Sequence, residues 1–192
     1  KPCYAGQQWQ WGGARYQVLW PILPAQLAFL NGVNATHSSQ LGPIAKGNNR
    51  SCVVLIEYAG KVFLLPGDID KTIEKVLVEQ GVLPSVDVLI APHHGSKTSS
   101  SQAFLQAIKP KHIVVSAGFK SRYGHPHEEV LKRYHSMGAR VWNTATHGAV
   151  SFRVNKQPKK SDSQTNLAAP QILATPQITV RAERLFQPKL WH

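Results

Sequence analysis

The sequence predicts an α/β domain with a mixed sheet and helices, and two patterns along the chain support this. Apolar runs over residues 53–65 have the form of a hairpin, and strand-length apolar runs then alternate with helical repeats up to residue 154. Hairpin strands followed by strand–helix alternation are typical of a layered α/β fold. With 192 residues, 42% of them hydrophobic, the chain is long enough for one domain with a sizeable core and too short for two ordinary ones.

The first half of the pattern contains a short strand, a hairpin and a helix. Residues 7–13 are aromatic and rich in turn formers, and residues 31–49 have the composition of a loop. The other elements follow from apolar spacing and from turn residues. They are a strand over residues 16–20, hairpin strands over 53–56 and 62–65 with a turn at 59–60, and a helix from Ile69 to Gln80 that ends at Gly81.

The second half alternates strands with helices. Serine residues suit the start of one helix, and a proline followed by two glutamates suits the start of the next. The predicted elements are strands over residues 86–91, 112–116, 141–142 and 149–154, a helix from Ser100 or Ser101 to Lys109, and a helix from Pro126 to Gly138. This gives a domain over residues 1–154.

Residues 155–192 differ in composition from the rest of the chain. They contain proline, glutamine and serine, with six basic and two acidic residues, and no sustained apolar period. Such a segment cannot bury enough apolar surface to fold alone, so we predict an extended or disordered basic tail. Two short apolar stretches, residues 178–180 and 185–186, are able to dock locally.

The chain is strongly basic and poor in cysteine. It has 22 Lys and Arg against 10 Asp and Glu, a net charge of +12. This argues against an acidic disordered tail and favours a polyanionic partner, either nucleic acid or anionic lipid headgroups. A generically basic protein is the alternative. Cys3 and Cys52 are too few for a disulfide framework or a structural zinc site, and Cys52 has the setting of a small core residue. No apolar run is long enough to span a membrane.

Ligands of open α/β sheets bind beyond the carboxyl ends of strands. Three polar clusters follow predicted strands in this sequence, and the first is Pro66-Gly67-Asp68. Asp68 follows a predicted strand directly. Two interpretations stay open for it. Asp68 is a catalytic or metal-binding carboxylate, or it is the N-cap of the helix that follows.

The second cluster is Pro92-His93-His94-Gly95-Ser96, directly after a buried strand. Neutral imidazole is a good ligand for zinc, manganese or iron. Adjacent residues point in different directions, so one histidine can bind a metal while its neighbour contacts substrate. The alternative is a polar exposed loop, which the flanking proline, glycine and serine also permit.

The third cluster is Gly124-His125-Pro126-His127, at the start of a predicted helix. A helix N-terminus offers free N–H groups and favours phosphate, and we expect His125 to occupy the cap position there. Three basic residues lie near these clusters and suit phosphate contacts: Lys97, Lys120 and Arg122. The combination of an aspartate, four histidines and several cations at successive strand ends predicts a metal-assisted phosphoester hydrolase.

Four motifs, in this order and spacing, resemble the metallo-β-lactamase-like domain at the C-terminus of the ComEC family of DNA-internalisation competence proteins. The resemblance covers roughly residues 5–154 and leaves out the tail. The motifs are Asn48-Asn49-Arg50-Ser51, Leu64-Leu65-Pro66-Gly67-Asp68, Ala91-Pro92-His93-His94-Gly95-Ser96 with Thr98-Ser99-Ser100, and Ser116-Ala117-Gly118 through Tyr123-Gly124-His125-Pro126-His127.

The resemblance implies an αββα sandwich and a role in DNA uptake, in which the domain degrades the strand that is not transported. It implies two divalent ions, Zn or Mn, and no nucleotide cofactor. Asp68 matches the bridging ligand, and His93 or His94 matches a late histidine ligand. The other matching positions, Asn49, Ser51, His125 and His127, belong to the pocket and are expected to contact substrate.

One departure from the family concerns the main metal motif, of the His-x-His/Asp-x-Asp-His type. These 192 residues contain none. We therefore expect the chain to be mainly the second half of the sandwich plus a tail, with an incomplete ligand set, weak or no turnover, and one apolar sheet face exposed. Its expected partners are DNA and the remainder of an inner-membrane protein, with this domain on the extracytoplasmic side.

Two rival functions remain. One is a non-catalytic DNA-binding module, carried by the net charge and the basic tail. The other keeps the hydrolase but changes the substrate to a small phosphodiester such as a phosphocholine ester, because related β-lactamase-like esterases share the Gly-Asp and His-His-Gly elements.

Overall fold

A computed structural model describes residues 2–23, 47–119, 124–155 and 176–183. Within these ranges every helix is too short or too polar to cross a bilayer. The strands are β1 Gln8–Trp11, β2 Ala14–Trp20, β3 Val53–Tyr58, β4 Lys61–Leu65, β5 Val88–Ile90, β6 His112–Val115, β7 Arg140–Asn143, β8 Val150–Val154 and β9 Ile178–Ala182; the helices are α1 Lys71–Glu79, α2 Gln102–Ile108, α3 Glu128–Ser136 and α4 Thr144–His147.

Strands β1 to β7 form one mixed sheet, in the same order as in the chain. The neighbours from β1 to β4 are antiparallel, and those from β4 to β7 are parallel. Parallel neighbours need a crossover, and α1, α2 and α3 supply the three crossovers in turn. The predicted α/β fold, with a mixed sheet and helices, is confirmed.

Two-residue turns connect the antiparallel strands of both hairpins. In the β3–β4 hairpin, residues 59–60 have φ of 48° and 73°, and in the β1–β2 hairpin, residues 12–13 have φ of 59° and 80°. Positive φ at both positions is typical of the two-residue turns whose twist matches that of the paired strands. The hairpin at 59–60 is the predicted one. At the N-terminus we expected only turn-rich chain, but residues 8–11 form β1, whose Trp9 stacks on Tyr16 with ring centroids 5.0 Å apart.

The main core lies between one face of this sheet and the three crossover helices. Burial of each large aliphatic side chain in it contributes about 1.5–3 kcal/mol to stability, and this burial holds α1 to α3 against the sheet. Its fully buried side chains include Leu64, Leu89 and Ile113 from the sheet and Ile73, Leu77, Phe104, Leu105, Ile108, Val130 and Tyr134 from the helices.

The other face of the sheet is covered over part of its width. The antiparallel β8–β9 pair packs on the parallel strands through a second cluster centred on Val88, Val114 and Trp142. Strand β9 comes from the segment predicted as a tail, and residues 185–186 lie outside the described residues. On the antiparallel half, Trp9 and Trp11 of β1 are 45% and 74% exposed.

The two cysteines are joined, which the composition did not predict. Cys3 and Cys52 form a disulfide with Cα atoms 6.0 Å apart, and neither residue is fully buried. The assignment of Cys52 as a small core residue was wrong, because Cys52 precedes β3 rather than lying within it.

Candidate metal and phosphate site

The carboxyl ends of the parallel strands place the predicted clusters at one edge of the sheet. Asp68 follows β4, the His93–His94 pair follows β5, and Ser116 follows β6. Because β4, β5 and β6 run in parallel, their carboxyl ends meet at the same edge. The segment Asn48–Ser51 lies against this edge from the N-terminal side of β3.

Asp68 and His94 face each other at this edge. Oδ1 of Asp68 lies 3.7 Å from Nε2 of His94, and their side chains are 40% and 50% exposed. Nδ1 of His94 lies 2.8 Å from the carbonyl oxygen of Ser116. In the neutral ring, Nδ1–H donates to that carbonyl, and Nε2 keeps a lone pair directed at the carboxylate. An imidazole oriented in this way by a backbone carbonyl is prepared to act as a metal ligand.

The turn that carries the histidines has an unusual backbone. His93 (φ 48°, ψ 41°) and His94 (φ 57°, ψ 20°) are consecutive left-handed residues, each costing about 1–2 kcal/mol relative to a right-handed conformation. The turn is fixed at both ends, since His93 N–H donates to Gly67 O (3.1 Å) and His127 N–H donates to Gly95 O (2.9 Å). Strain that is retained in this way is typical of functional loops.

Asn48 and Ser51 connect the site to the loop before β3. The Asn48 side-chain nitrogen lies 3.3 Å from Nε2 of His93. The backbone N–H of Asp68 donates to Oγ of Ser51 at 3.1 Å. Gly67 leaves room for this contact, since a Cβ at that position would lie 2.7 Å from the Ser51 Cβ.

The N-cap of α1 is Asp70, which excludes the capping interpretation of Asp68. The Asp70 carboxylate accepts from Thr72 N–H at 2.7 Å. The Asn49 side chain donates from Nδ2 to the same carboxylate at 3.0 Å and accepts the Asp70 backbone N–H at Oδ1 at 2.9 Å. Burial raises the pKa of Asp70, but the bonds from Asn49 and Thr72 outweigh it and hold the pKa below its ordinary value. Asp68 is therefore not used as the cap.

The third cluster lies beside the histidine turn. The rings of His93 and His125 are 6.3 Å apart. Burial lowers the pKa of His125, and the neighbouring imidazoles, His93 first, lower it further. We predicted His125 at the cap of the last crossover helix, but the N-cap of α3 is His127. Among the other predicted site residues, Asn49, Ser51 and His127 contact neighbouring loops. Lys97 is exposed, and Lys120 and Arg122 lie outside the described residues.

A buried polar network below the site was not predicted from the sequence. Glu74 on α1 is fully buried and accepts the backbone N–H groups of Ser100 and Ser101. Ser99 Oγ donates to the carbonyl of Pro92 at 2.9 Å, which ties the same loop to the histidine turn. Burial raises the pKa of Glu74, although the hydrogen bonds from Ser101 and Ser100 oppose this. The only signal in the sequence is an acidic residue next to Ile73 on the apolar stripe of the helix.

The donors fit part of a metal site. Zinc sites in proteins use three or four protein ligands, and Asp68 and His94 supply one carboxylate and one imidazole. Over the described ranges, no group of three or more His, Cys, Asp or Glu side chains is arranged to hold a metal ion. The described residues therefore do not complete a metal site.

The chain resembles a metallo-β-lactamase superfamily protein from Thermotoga maritima (TM-score 0.41, 16% identity, 69% of this chain and 56% of that one). It also resembles CmlA, a diiron β-hydroxylase from Streptomyces venezuelae (TM-score 0.40, 14% identity, 71% of this chain and 31% of that one). No family model matches the chain.

Relatives found by sequence similarity show the family to which the chain belongs. The chain is 33% identical to competence protein ComA of Neisseria gonorrhoeae over 79% of its own length and 20% of the relative. It is 38% identical to ComE operon protein 3 of Bacillus subtilis over 57% and 14%, and 33% identical to recombination protein 2 of Haemophilus influenzae over 80% and 17%. The chain spans a fifth or less of the length of these relatives. It belongs to the ComEC family of competence proteins.

Proposed function

We propose that this chain is the DNA-processing region of a competence protein, and that it acts on DNA phosphodiesters with the help of a divalent ion, zinc or manganese. The observation that carries the proposal is the Asp68–His94 pair, in which a carboxylate oxygen and an oriented imidazole Nε2 lie 3.7 Å apart. The remaining ligands come from outside the described residues. A bound divalent ion lowers the pKa of a water molecule and neutralises phosphate charge.

In this proposal the chain's own residues hold the ligands and the phosphate. Asp68 and His94 are the ion's ligands, with Ser116 fixing the ring of His94. His93 and His125 lie side by side, with ring centroids 6.3 Å apart, and each donates a ring N–H to phosphate oxygens. The basic surface, from a net charge of +12, attracts and positions the nucleic acid backbone.

We propose that the domain works on the extracytoplasmic side of the membrane, against the remainder of the same protein. The Cys3–Cys52 disulfide supports the location, because structural disulfides persist in oxidising compartments. The exposed aromatic side chains of β1 support the partner, because an apolar sheet face of this kind marks an interaction surface.

The test compares DNA affinity with and without Mn²⁺ or Zn²⁺, using fluorescence anisotropy at fixed ionic strength. We expect the ion to raise the affinity several-fold for the wild type and not for Asp68→Asn. The matched control is Glu79→Gln, which also removes one negative charge, but from the exposed end of α1. Metal-dependent strand cleavage, measured with the protein in excess, should follow the same pattern.

The second candidate, a non-catalytic DNA-binding module, is favoured by the net charge alone. It predicts salt-dependent binding that Asp68→Asn and a chelator leave unchanged, with no cleavage at any metal concentration. That result would replace the proposed function. Stronger competition by a small phosphodiester such as a phosphocholine ester than by DNA would instead change the substrate.

A further inference from the structure

A disulfide lies one residue away from the candidate site. Cys52 follows Ser51, whose Oγ accepts the backbone N–H of Asp68 at 3.1 Å. Its partner Cys3 belongs to an N-terminal segment that is bonded to β2, since Gly6 N–H donates to Val18 O at 3.0 Å. The disulfide therefore joins the loop at the site to a segment held on the sheet.

The loop that it anchors has little packing of its own. Residues 47–50 form one 3-10 turn with no buried residue. Polar contacts hold the turn instead: Trp20 Nε1–H donates to the Asn49 carbonyl at 2.6 Å, and Asn49 bonds to Asp70. A segment with few buried apolar contacts opens at low free energy, so a covalent link to the sheet has a large effect on its position.

The same loop touches two groups of the candidate site. Ser51 bonds to the backbone of Asp68, and the Asn48 side chain lies 3.3 Å from Nε2 of His93. Both contacts depend on where residues 48–51 are held. Gly67 has no side chain to hold Ser51 in place, and a Cβ there would collide with it.

We propose that the Cys3–Cys52 disulfide is a positioning element of the candidate site, so that the contacts of Asn48 and Ser51 with His93 and Asp68 form fully only in the oxidised protein. The site is then assembled in an oxidising compartment and loosened in a reducing one. The effect of the disulfide on the position of residues 48–51 does not depend on the proposed function. The functional importance of this redox control does rest on the proposed function.

The redox step is simple thiol–disulfide exchange. Dithiothreitol transfers two electrons and two protons to the two sulfur atoms, which breaks the S–S bond and leaves two cysteine thiols. The reagent itself becomes a cyclic disulfide. Re-oxidation by oxidised glutathione, a disulfide oxidant, runs the exchange in the opposite direction and releases reduced glutathione.

The test uses the 192-residue chain with ¹⁵N-labelled histidine, at one fixed pH. Ring nitrogen signals are recorded for the oxidised, reduced and re-oxidised protein, and thiols are counted with Ellman's reagent. We expect the His93 signals to shift and broaden on reduction and to return on re-oxidation. His112, which bonds to Trp142 in the β6–β7 region, is the internal control and should not change.

The Cys3→Ala/Cys52→Ala double variant separates the disulfide from the reagent. It should show the reduced-like His93 spectrum with or without dithiothreitol, and a Tm roughly 5–10 °C below that of the oxidised wild type. Unchanged His93 signals in a reduced chain with two free thiols would overturn the proposal, as would simultaneous loss of the His112 signals, which indicates global unfolding. Neither readout requires activity, so failure of the proposed function would be seen separately in the DNA assay.

Discussion

Nε2 of His94 lies 3.7 Å from Oδ1 of Asp68 while the other ring nitrogen is hydrogen-bonded to the Ser116 carbonyl. An ion pair alone needs no such orientation of the ring. An oriented imidazole beside a carboxylate is, however, the usual arrangement of two metal ligands with a supporting hydrogen bond. The two side chains remain about half exposed, so an ion can approach them from solvent.

The first prediction concerns metal affinity. We expect the wild-type chain to bind one Zn²⁺ or Mn²⁺ weakly, because two protein ligands are fewer than a complete site provides. Asp68→Asn should lower the affinity roughly tenfold or more, since it removes the charged ligand and keeps the shape. Isothermal titration calorimetry measures both, with Glu79→Gln as the control. Tight binding of two ions by the wild type would contradict this prediction.

The second prediction concerns the contact between Gly67 and Ser51. Gly67→Ala adds a Cβ that would lie 2.7 Å from the Ser51 Cβ, at a φ of 62°. We expect a loss of about 2 kcal/mol or more in the free energy of unfolding, from the backbone strain and the steric clash together. Urea denaturation measures it.

Gly81→Ala is the matched control for that experiment. Gly81 has φ 65° and no atom within 4 Å of an added Cβ among the described residues. Its substitution should therefore cost only the backbone strain, about 1 kcal/mol. Equal losses for the two variants would mean that Ser51 moves aside freely, and the contact with Asp68 would then not be tightly held.

The strand ends were predictable from the sequence, but the caps and the cross-loop contacts were not. Asp68 and the two histidines were found because polar residues that follow buried strands of a parallel sheet meet at one edge. Asp68 and Asp70 both precede the same helix, so spacing alone could not tell which of them is the cap. His125 and His127 raised the same difficulty, and there the prediction was wrong by two residues.

Contacts between segments far apart in the chain account for what the sequence missed. Cys3 and Cys52 are 49 residues apart, and they meet because β2 pairs with β3 through Trp20 and Val53. Glu74 bonds to residues 26 and 27 positions further along. The periodicity of apolar residues in the local sequence cannot predict such pairings, because strand register and helix packing determine them.

The third prediction concerns the buried carboxylate of α1. Glu74→Gln replaces one of two acceptor oxygens with an NH₂ group that faces a backbone N–H of Ser100 or Ser101. We expect a loss of about 1–3 kcal/mol in the free energy of unfolding, because a buried donor then has no acceptor. Glu79→Gln, on the exposed end of the same helix, should change it by less than about 1 kcal/mol. Denaturant titration of both variants measures these losses. Similar small losses in the free energy of unfolding would show that the loop with Ser100 and Ser101 does not depend on Glu74.

The fourth prediction concerns pH and His112. Burial lowers the pKa of His112 below its ordinary value of 6.5, and the charge of Arg140 lowers it further. Nδ1 of the neutral ring accepts a hydrogen bond from Trp142 Nε1–H at 3.2 Å, which protonation of that nitrogen would remove.

The direction of the pH effect follows from proton linkage. Between the folded pKa and 6.5 the unfolded chain binds more protons at this position, so stability rises with pH through that window and is lost as the pH falls through it. His112→Asn offers a side-chain oxygen to Trp142 without titrating. The fall in Tm between pH 7.5 and 5.5 should therefore be smaller for His112→Asn than for the wild type. An equal fall in both proteins would show that other groups control the acid sensitivity.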